Sequence, residues 1–160
     1  MLQILVLRCR REQSDIAWSY RWGYNMEKKL FREAVAAREQ AYTPYSHFKV
    51  GAALLAKSGK IYHGCNIENA AYTPTNCAER TAFFKAVSEG EREFIAIAIV
   101  AGQENAALAF TSPCGVCRQV MAEFCEPDAF QIIMGTNEDE LKVYSLKELL
   151  PLGFGPKDLT

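Results

Sequence analysis

The chain reads as an α/β protein, a three-layer α/β/α sandwich built on a mixed sheet. Three observations predict it. An amphipathic helical segment opens the folded part, two extended runs joined by a tight turn follow, and from there strands alternate with helices. Each crossover helix must bury its apolar face on the sheet, and that puts helices on both sides.

The elements follow in order. From Glu27 to Ala41 the apolar positions Leu30, Phe31, Ala34, Val35, Ala37 and Ala41 keep a helical period, which Thr43-Pro44 stops. Phe48 to Ala56 is rich in Val, Ala and Leu, Ser58-Gly59 is a turn signal, and Lys60 to Cys65 continues as a second extended run, so a hairpin is expected. After an Asn-rich loop, Cys77 to Ser88 reads as a helix closed by Gly90, and Phe94 to Ala101 as a strand buried on both faces. Cys114 to Phe124 is helical again. Phe130 to Met134 and Leu141 to Tyr144 are strand candidates, and Ser145-Leu146-Lys147-Glu148 has the form of a capping box for a short last helix before Pro151.

The 160 residues suit one compact domain. Residues 26–160 are taken as that domain and residues 1–25 as a poorly ordered N-terminal extension. The segment Met1 to Leu7 is apolar but too short to span a membrane, and its basic residues follow it, which is the wrong order for a secretory leader. Without a leader, the six cysteines favour reduced thiols or metal ligation in a cytoplasmic protein. With 18 Lys+Arg against 19 Asp+Glu there is no basic excess for neutralising phosphates, so nucleic acid is not the expected partner.

Cys114 and Cys117, three apart at the start of a helix, present two sulfurs on one face. Alone, a Cys-x-x-Cys pair is also compatible with a structural or redox role. Cys77, opening another helix, can supply a third thiol, and three protein ligands with one open position is the catalytic form of a zinc site. Pro113 before the pair, Cys77-Ala78-Glu79 upstream and the helix starts together match a zinc-deaminase signature in its three-cysteine form, with Glu79 as proton shuttle. Three thiolates on Zn²⁺ leave a net charge of about −1, so nearby cations are needed. Arg80 and Arg118 are the candidates, surface solvation being their alternative role.

With these motifs in place, the chain from about Met26 onward resembles the small homotetrameric cytidine deaminases that act on free nucleosides. The resemblance extends through Tyr45-Ser46-His47-Phe48-Lys49-Val50-Gly51-Ala52-Ala53, through Gly64-Cys65-Asn66-Ile67-Glu68-Asn69-Ala70-Ala71-Tyr72, and through Leu149-Leu150-Pro151-Leu152-Gly153-Phe154. It implies one zinc per subunit and hydrolysis of cytidine and deoxycytidine to uridine and deoxyuridine with release of ammonia, in pyrimidine salvage. It also implies that Phe48 stacks on the pyrimidine, Asn66 and Glu68 hydrogen-bond the ribose, the Ala78 amide meets the base O2 and the Ser112 carbonyl meets the reacting amino group. Phe154 is expected to reach a neighbouring subunit's site. Taken singly, Phe48 reads as core and Asn66 as a turn residue.

His47 and His63 have no spacing that pairs them with the Cys-x-x-Cys, and packing or solvation is expected of both. Cys65 is expected to be a small buried hydrophobe. Three rival functions remain at the level of sequence: a deaminase of bases in nucleic acid, a deaminase of a nucleoside antibiotic, and a non-catalytic zinc module.

Overall fold

The computed structural model describes Gly23 and residues 25–159. The expectation for residues 1–25 therefore lies outside the described residues, apart from Gly23 and Asn25, which are already helical. Helix α1 runs on to residue 38. It is followed by β1 (Phe48–Ala56), β2 (Ile61–Cys65), α2 (Ala78–Ser88), β3 (Phe94–Gln103), α3 (Gly115–Phe124), β4 (Gln131–Gly135), β5 (Leu141–Ser145), α4 (Leu146–Leu149) and a 3₁₀ turn at Pro156–Leu159.

The five strands form one sheet in the order β2-β1-β3-β4-β5. β3 and β4 are parallel while the other neighbours are antiparallel, which is the mixed sheet that hairpin and crossover connections require. Alternation along the central strands divides the core in two. Ala53, Leu55, Ala96, Ala98, Val100 and Ile133 face α1, which contributes Leu30, Phe31 and Ala34. Ala52, Leu54, Ile97, Ile99, Ile132 and Met134 face the opposite way, toward Ala82, Phe83 and Ala86 of α2 and Cys117 and Met121 of α3. Burial on both faces explains the nearly unbroken apolar run of β3.

Two glycines bring the helices onto the sheet at backbone distance. A Cβ on Gly51 would sit 2.1 Å from Ala34 O, and one on Gly64 would sit 2.1 Å from Ala78 O and 2.5 Å from Ala82 N. Any side chain at Gly64 would lift the first turn of α2 off β2. Farther along, Phe83 packs against Phe94, Phe124 and Phe130 with ring centroids 5.0 to 6.2 Å apart, which joins α2 to α3 through the core. Burying Phe83 completely contributes about 1.5–3 kcal/mol.

Helix α1 stops three residues short of the expected Ala41. The Glu39 and Gln40 amides reach back only to Ala36 O and Ala37 O, and Tyr42 leaves the helix to donate to Asn66 O and accept from Glu68 N. Pairing with the binding loop wins over one more helical turn. The capping box is present as expected, Ser145 Oγ accepting from Glu148 N and the Glu148 carboxylate accepting from Ser145 N.

Candidate metal centre and substrate site

The N-termini of α2 and α3 converge. Cys77 and Cys114 are not the first helical residues but the N-caps, both with extended backbone (φ −78°, ψ 156° and φ −66°, ψ 164°). An N-cap side chain leans back across the first turn, so Cys114 Sγ accepts from Cys117 N at 3.4 Å. Thr81 Oγ1 donates to Cys77 O at 3.1 Å and receives Asn76 Nδ2 at 3.2 Å, which fixes the other cap. Neither Asn76 nor Thr81 carries a sequence signal for this role.

The three sulfurs lie within 4.8 Å of one another, with Cys114 3.4 Å from Cys117 and 3.9 Å from Cys77. Tetrahedral zinc with Zn–S bonds of ≈ 2.3 Å requires sulfurs about 3.8 Å apart. The separations therefore fit one zinc ion. They are far too long for a disulfide. Arg80 Nη2 donates to Cys77 Sγ at 3.4 Å and to Thr75 O, while Arg80 Nε is buried without a partner among the described residues. A guanidinium held against sulfur is what an anionic thiolate cluster requires. The Cys117 thiol and then Arg80 hold the Cys77 thiol down to about 5 against the opposing effect of burial, and the same bond to Cys77 pushes Cys117 up.

Glu79 is 5% exposed and stands in the first turn of α2, two residues beyond the Cys77 cap. Burial, and next the negative charge of Cys77, raise its carboxyl to about 7. Arg118 is placed differently from Arg80. Its Nη1 donates to Leu149 O, which ties α3 to the end of α4, and its Nε is buried without a partner among the described residues.

Of the expected substrate residues, Ala78 and Ser112 stand within two residues of a thiol in the chain, and Phe48, Asn66, Glu68 and Phe154 lie on other segments. Ala78 is the first residue of α2, where a backbone N–H has no acceptor within the helix. Ser112 is exposed in the extended approach to Cys114. Asn66 Oδ1 accepts from Val50 N at 2.8 Å and Nδ2 donates to Phe48 O at 2.9 Å, so the amide continues the ladder of β1 and joins Asn66 directly to Phe48. Each group keeps one further bonding position. The Glu68 carboxylate accepts from the Tyr45 and Ser46 amides at 2.9 and 3.3 Å, and the Ser46 hydroxyl is the leading cause that lowers its pKa.

Glu68 lines a pocket of about 340 Å³ with Tyr45, Ser46, Tyr72 and Thr75. Its walls include no thiol and not Glu79; Thr75, through its carbonyl on Arg80, links the two. Phe154 is exposed, and its carbonyl accepts from Gln119 Nε2 at 2.8 Å, which lays the tail on α3. His63 pairs with Glu33 and His47 with Glu104, outside the thiol cluster. Cys65 is half-buried with its thiol on Gln40 O.

Comparison with known proteins agrees with this geometry. The family described as the cytidine and deoxycytidylate deaminase zinc-binding region matches residues 24–134. A cytidine deaminase of Sporosarcina psychrophila is 54% identical over 133 residues, 83% of this chain and 94% of its own, and one of Halalkalibacterium halodurans is 51% identical over 130 residues, 81% and 95% of the two chains. Among solved structures, a cytidine deaminase from Burkholderia pseudomallei superposes with a TM-score of 0.71 at 48% identity, covering 79% of this chain and 97% of its own. One from Mycobacterium tuberculosis gives 0.68 at 36% identity, covering 79% and 95%. A buried acid among three converging thiols, together with these likenesses, establishes that the chain belongs to the zinc-dependent cytidine and deoxycytidylate deaminase family.

Proposed function

We propose that this protein hydrolyses free cytidine and deoxycytidine to uridine and deoxyuridine, and that Glu79 moves the protons. The observation that carries the proposal is the placement of Glu79, a nearly fully buried carboxyl in the first turn of α2, two residues beyond the Cys77 cap. Cys77, Cys114 and Cys117 would hold zinc, which would supply the Lewis acidity that makes water nucleophilic near neutral pH. Glu79 accepts a proton from the water that attacks C4 and delivers it to N3. It then takes the proton of the new C4 hydroxyl and passes it to the 4-amino group, so the C4 carbonyl forms as the C–N bond breaks and ammonia leaves. Phe48 offers its ring to the base, the Ala78 amide is available to O2, and the Ser112 carbonyl to the amino group. Asn66 and Glu68 take the sugar hydroxyls with their remaining acceptor and donor positions, so a free base, which has no sugar, leaves them unpaired.

The assembly is proposed to be a homotetramer in which an exposed Phe154 completes a neighbour's site. A cytoplasmic location suits three cysteines that must remain thiolates. Among the described residues no helix is long and apolar enough to cross a membrane.

The test is an absorbance assay on cytidine, deoxycytidine, deoxycytidine monophosphate and single-stranded DNA, with and without a chelator. Chelator-sensitive turnover of both nucleosides, well above that of the nucleotide and the polymer, is expected. Preference for the monophosphate or the polymer would replace the substrate assignment, and turnover indifferent to metal would overturn the mechanism.

A further inference from the structure

Arg38, at the end of α1, is only 9% exposed, and its guanidinium is spent on backbone rather than on an acid. Nε donates to Lys49 O at 3.2 Å, and Nη2 donates to Gly102 O and Gln103 O, each at 3.0 Å. Among the described residues its one carboxylate neighbour, Glu39, lies 3.6 Å from Nη1 and is mostly exposed. The three carbonyls belong to one corner of the sheet. Phe48 pairs with Gln103 and Lys49 with Gly102, so Arg38 stitches the first rungs of β1 to the last rungs of β3.

That corner carries Phe48, and the rest of its backbone is held as tightly. Ser46 Oγ accepts from Phe48 N at 3.0 Å, and Asn66 accepts from Val50 N and donates to Phe48 O. The preceding residue, His47, sits at φ 55°, a left-handed conformation that a non-glycine residue keeps only when its surroundings impose it. Its carbonyl is held by Glu104 N at 2.7 Å, one residue beyond the end of β3. β3's end thus grips the chain on both sides of Phe48, and Arg38 locks that grip from behind. A lone surface-like arginine in a helical pattern gave no sign of this; the role exists only because Gly51 lets α1 lie on β1 at backbone distance.

We propose that Arg38 is a positioning residue for the substrate base: by cross-linking β1 to β3 at the Phe48 rung it holds the Phe48 ring where a pyrimidine stacks. The proposal rests on the reading of Phe48 as the stacking residue. Five rigid donors suit this task, and a lysine ammonium, a single compact point, reaches fewer carbonyls at once. A misplaced ring weakens substrate binding while leaving Glu79 and the thiols where they are, so the effect belongs in KM rather than in kcat.

The experiment measures KM and kcat for cytidine, with zinc content, in the full-length Arg38→Met, Arg38→Lys and Phe48→Ala variants and in the double variant Arg38→Met/Phe48→Ala. Arg38→Met is expected to raise KM about tenfold, the scale of a lost aromatic stacking contact, with kcat within about twofold and zinc unchanged. Arg38→Lys should fall between it and the native protein. In the double variant, Arg38→Met should add less than about twofold to Phe48→Ala, because both changes remove one interaction. An unchanged KM in the Arg38 variants, a loss confined to kcat or zinc, or an additive double variant overturns the proposal. If Arg38→Met fails to fold, Arg38→Lys decides on the same criterion, a raised KM at constant kcat. Phe48→Ala separates the two claims. If it raises KM and the Arg38 variants do not, only the role of Arg38 falls; if it leaves KM unchanged, the stacking reading falls and the role of Arg38 with it.

Discussion

Arg80 Nη2 lies 3.4 Å from Cys77 Sγ, and the same guanidinium keeps a buried Nε that has no partner among the described residues. A zinc ion carried by three thiolates is electron-rich and a weak Lewis acid unless positive charge sits beside the sulfurs. Arg80→Ala is therefore expected to lower kcat/KM for cytidine by about 10–100-fold, the range for partners of metal ligands. Arg80→Lys should recover part of it. The check is kcat/KM together with zinc stoichiometry. Native kcat/KM in Arg80→Ala would mean that the guanidinium serves only Thr75.

Glu79→Gln keeps the shape of the buried side chain and removes its ability to hold a proton. The expected loss in kcat is at least about 10²–10⁴-fold, with zinc bound as before. Burial raises the Glu79 carboxyl, so replacing it with an amide removes a desolvation cost, and the melting temperature should be unchanged or higher. A variant that binds zinc and turns over cytidine at near-native rate would end the proton-shuttle assignment.

The cluster of three thiols is legible in the sequence because the spacing of Cys114 and Cys117 and the two helix starts are local features. Position relative to the helix was the part that mattered and was read one residue out. Residues two apart on a regular helix do not share a face, so Cys77 and Glu79 gave no geometric reason to meet. As N-cap, Cys77 stands outside the helical rise, and Glu79 on the first turn can then face the same thiols. Arg118 could not be separated from Arg80 by adjacency alone. Arg80 follows Glu79 and Arg118 follows Cys117 in the chain, yet one guanidinium turns to sulfur and the other to Leu149 O, and only the packing of α3 against α4 decides it. The core strands were readable because β1 and β3 are apolar on both faces. The end of α1 was not, since the bond that stops it comes from Asn66, far away in sequence.

Gly64 links fold and metal. A Cβ there would stand 2.1 Å from Ala78 O and 2.5 Å from Ala82 N, both backbone atoms that cannot swing aside. Gly64→Ala should displace the first turn of α2 and cost on the order of 1–3 kcal/mol or more, as overpacking does. Cys77 and Glu79 move with that turn, so zinc affinity should fall as well. Denaturant unfolding and competition with a chromogenic chelator measure the two effects. Native stability would show that α2 does not depend on this close approach.

Glu68 allows a pH test that does not depend on the metal. The Ser46 hydroxyl, with the backbone amides of Tyr45 and Ser46, holds its carboxyl below the usual range. A carboxylate with a lowered folded-state pKa makes its full contribution above the ordinary value of ≈ 4.3 and loses it only as pH falls through the lower one. The native loop should therefore stay charged and ordered through the pH range where a free glutamate titrates. Ser46→Ala removes the leading cause and moves that loss to higher pH. The same variant also frees Phe48 N, which Ser46 Oγ accepts at 3.0 Å, and this adds a constant offset in KM at every pH. Only the pH-dependent part reports Glu68. The measurement is the ratio of KM for cytidine, Ser46→Ala over native, from neutral pH downward; protonation of the substrate is common to both proteins and cancels. The ratio should rise as pH approaches the ordinary carboxylate range. A ratio above one that does not vary with pH would assign Ser46 to Phe48 alone.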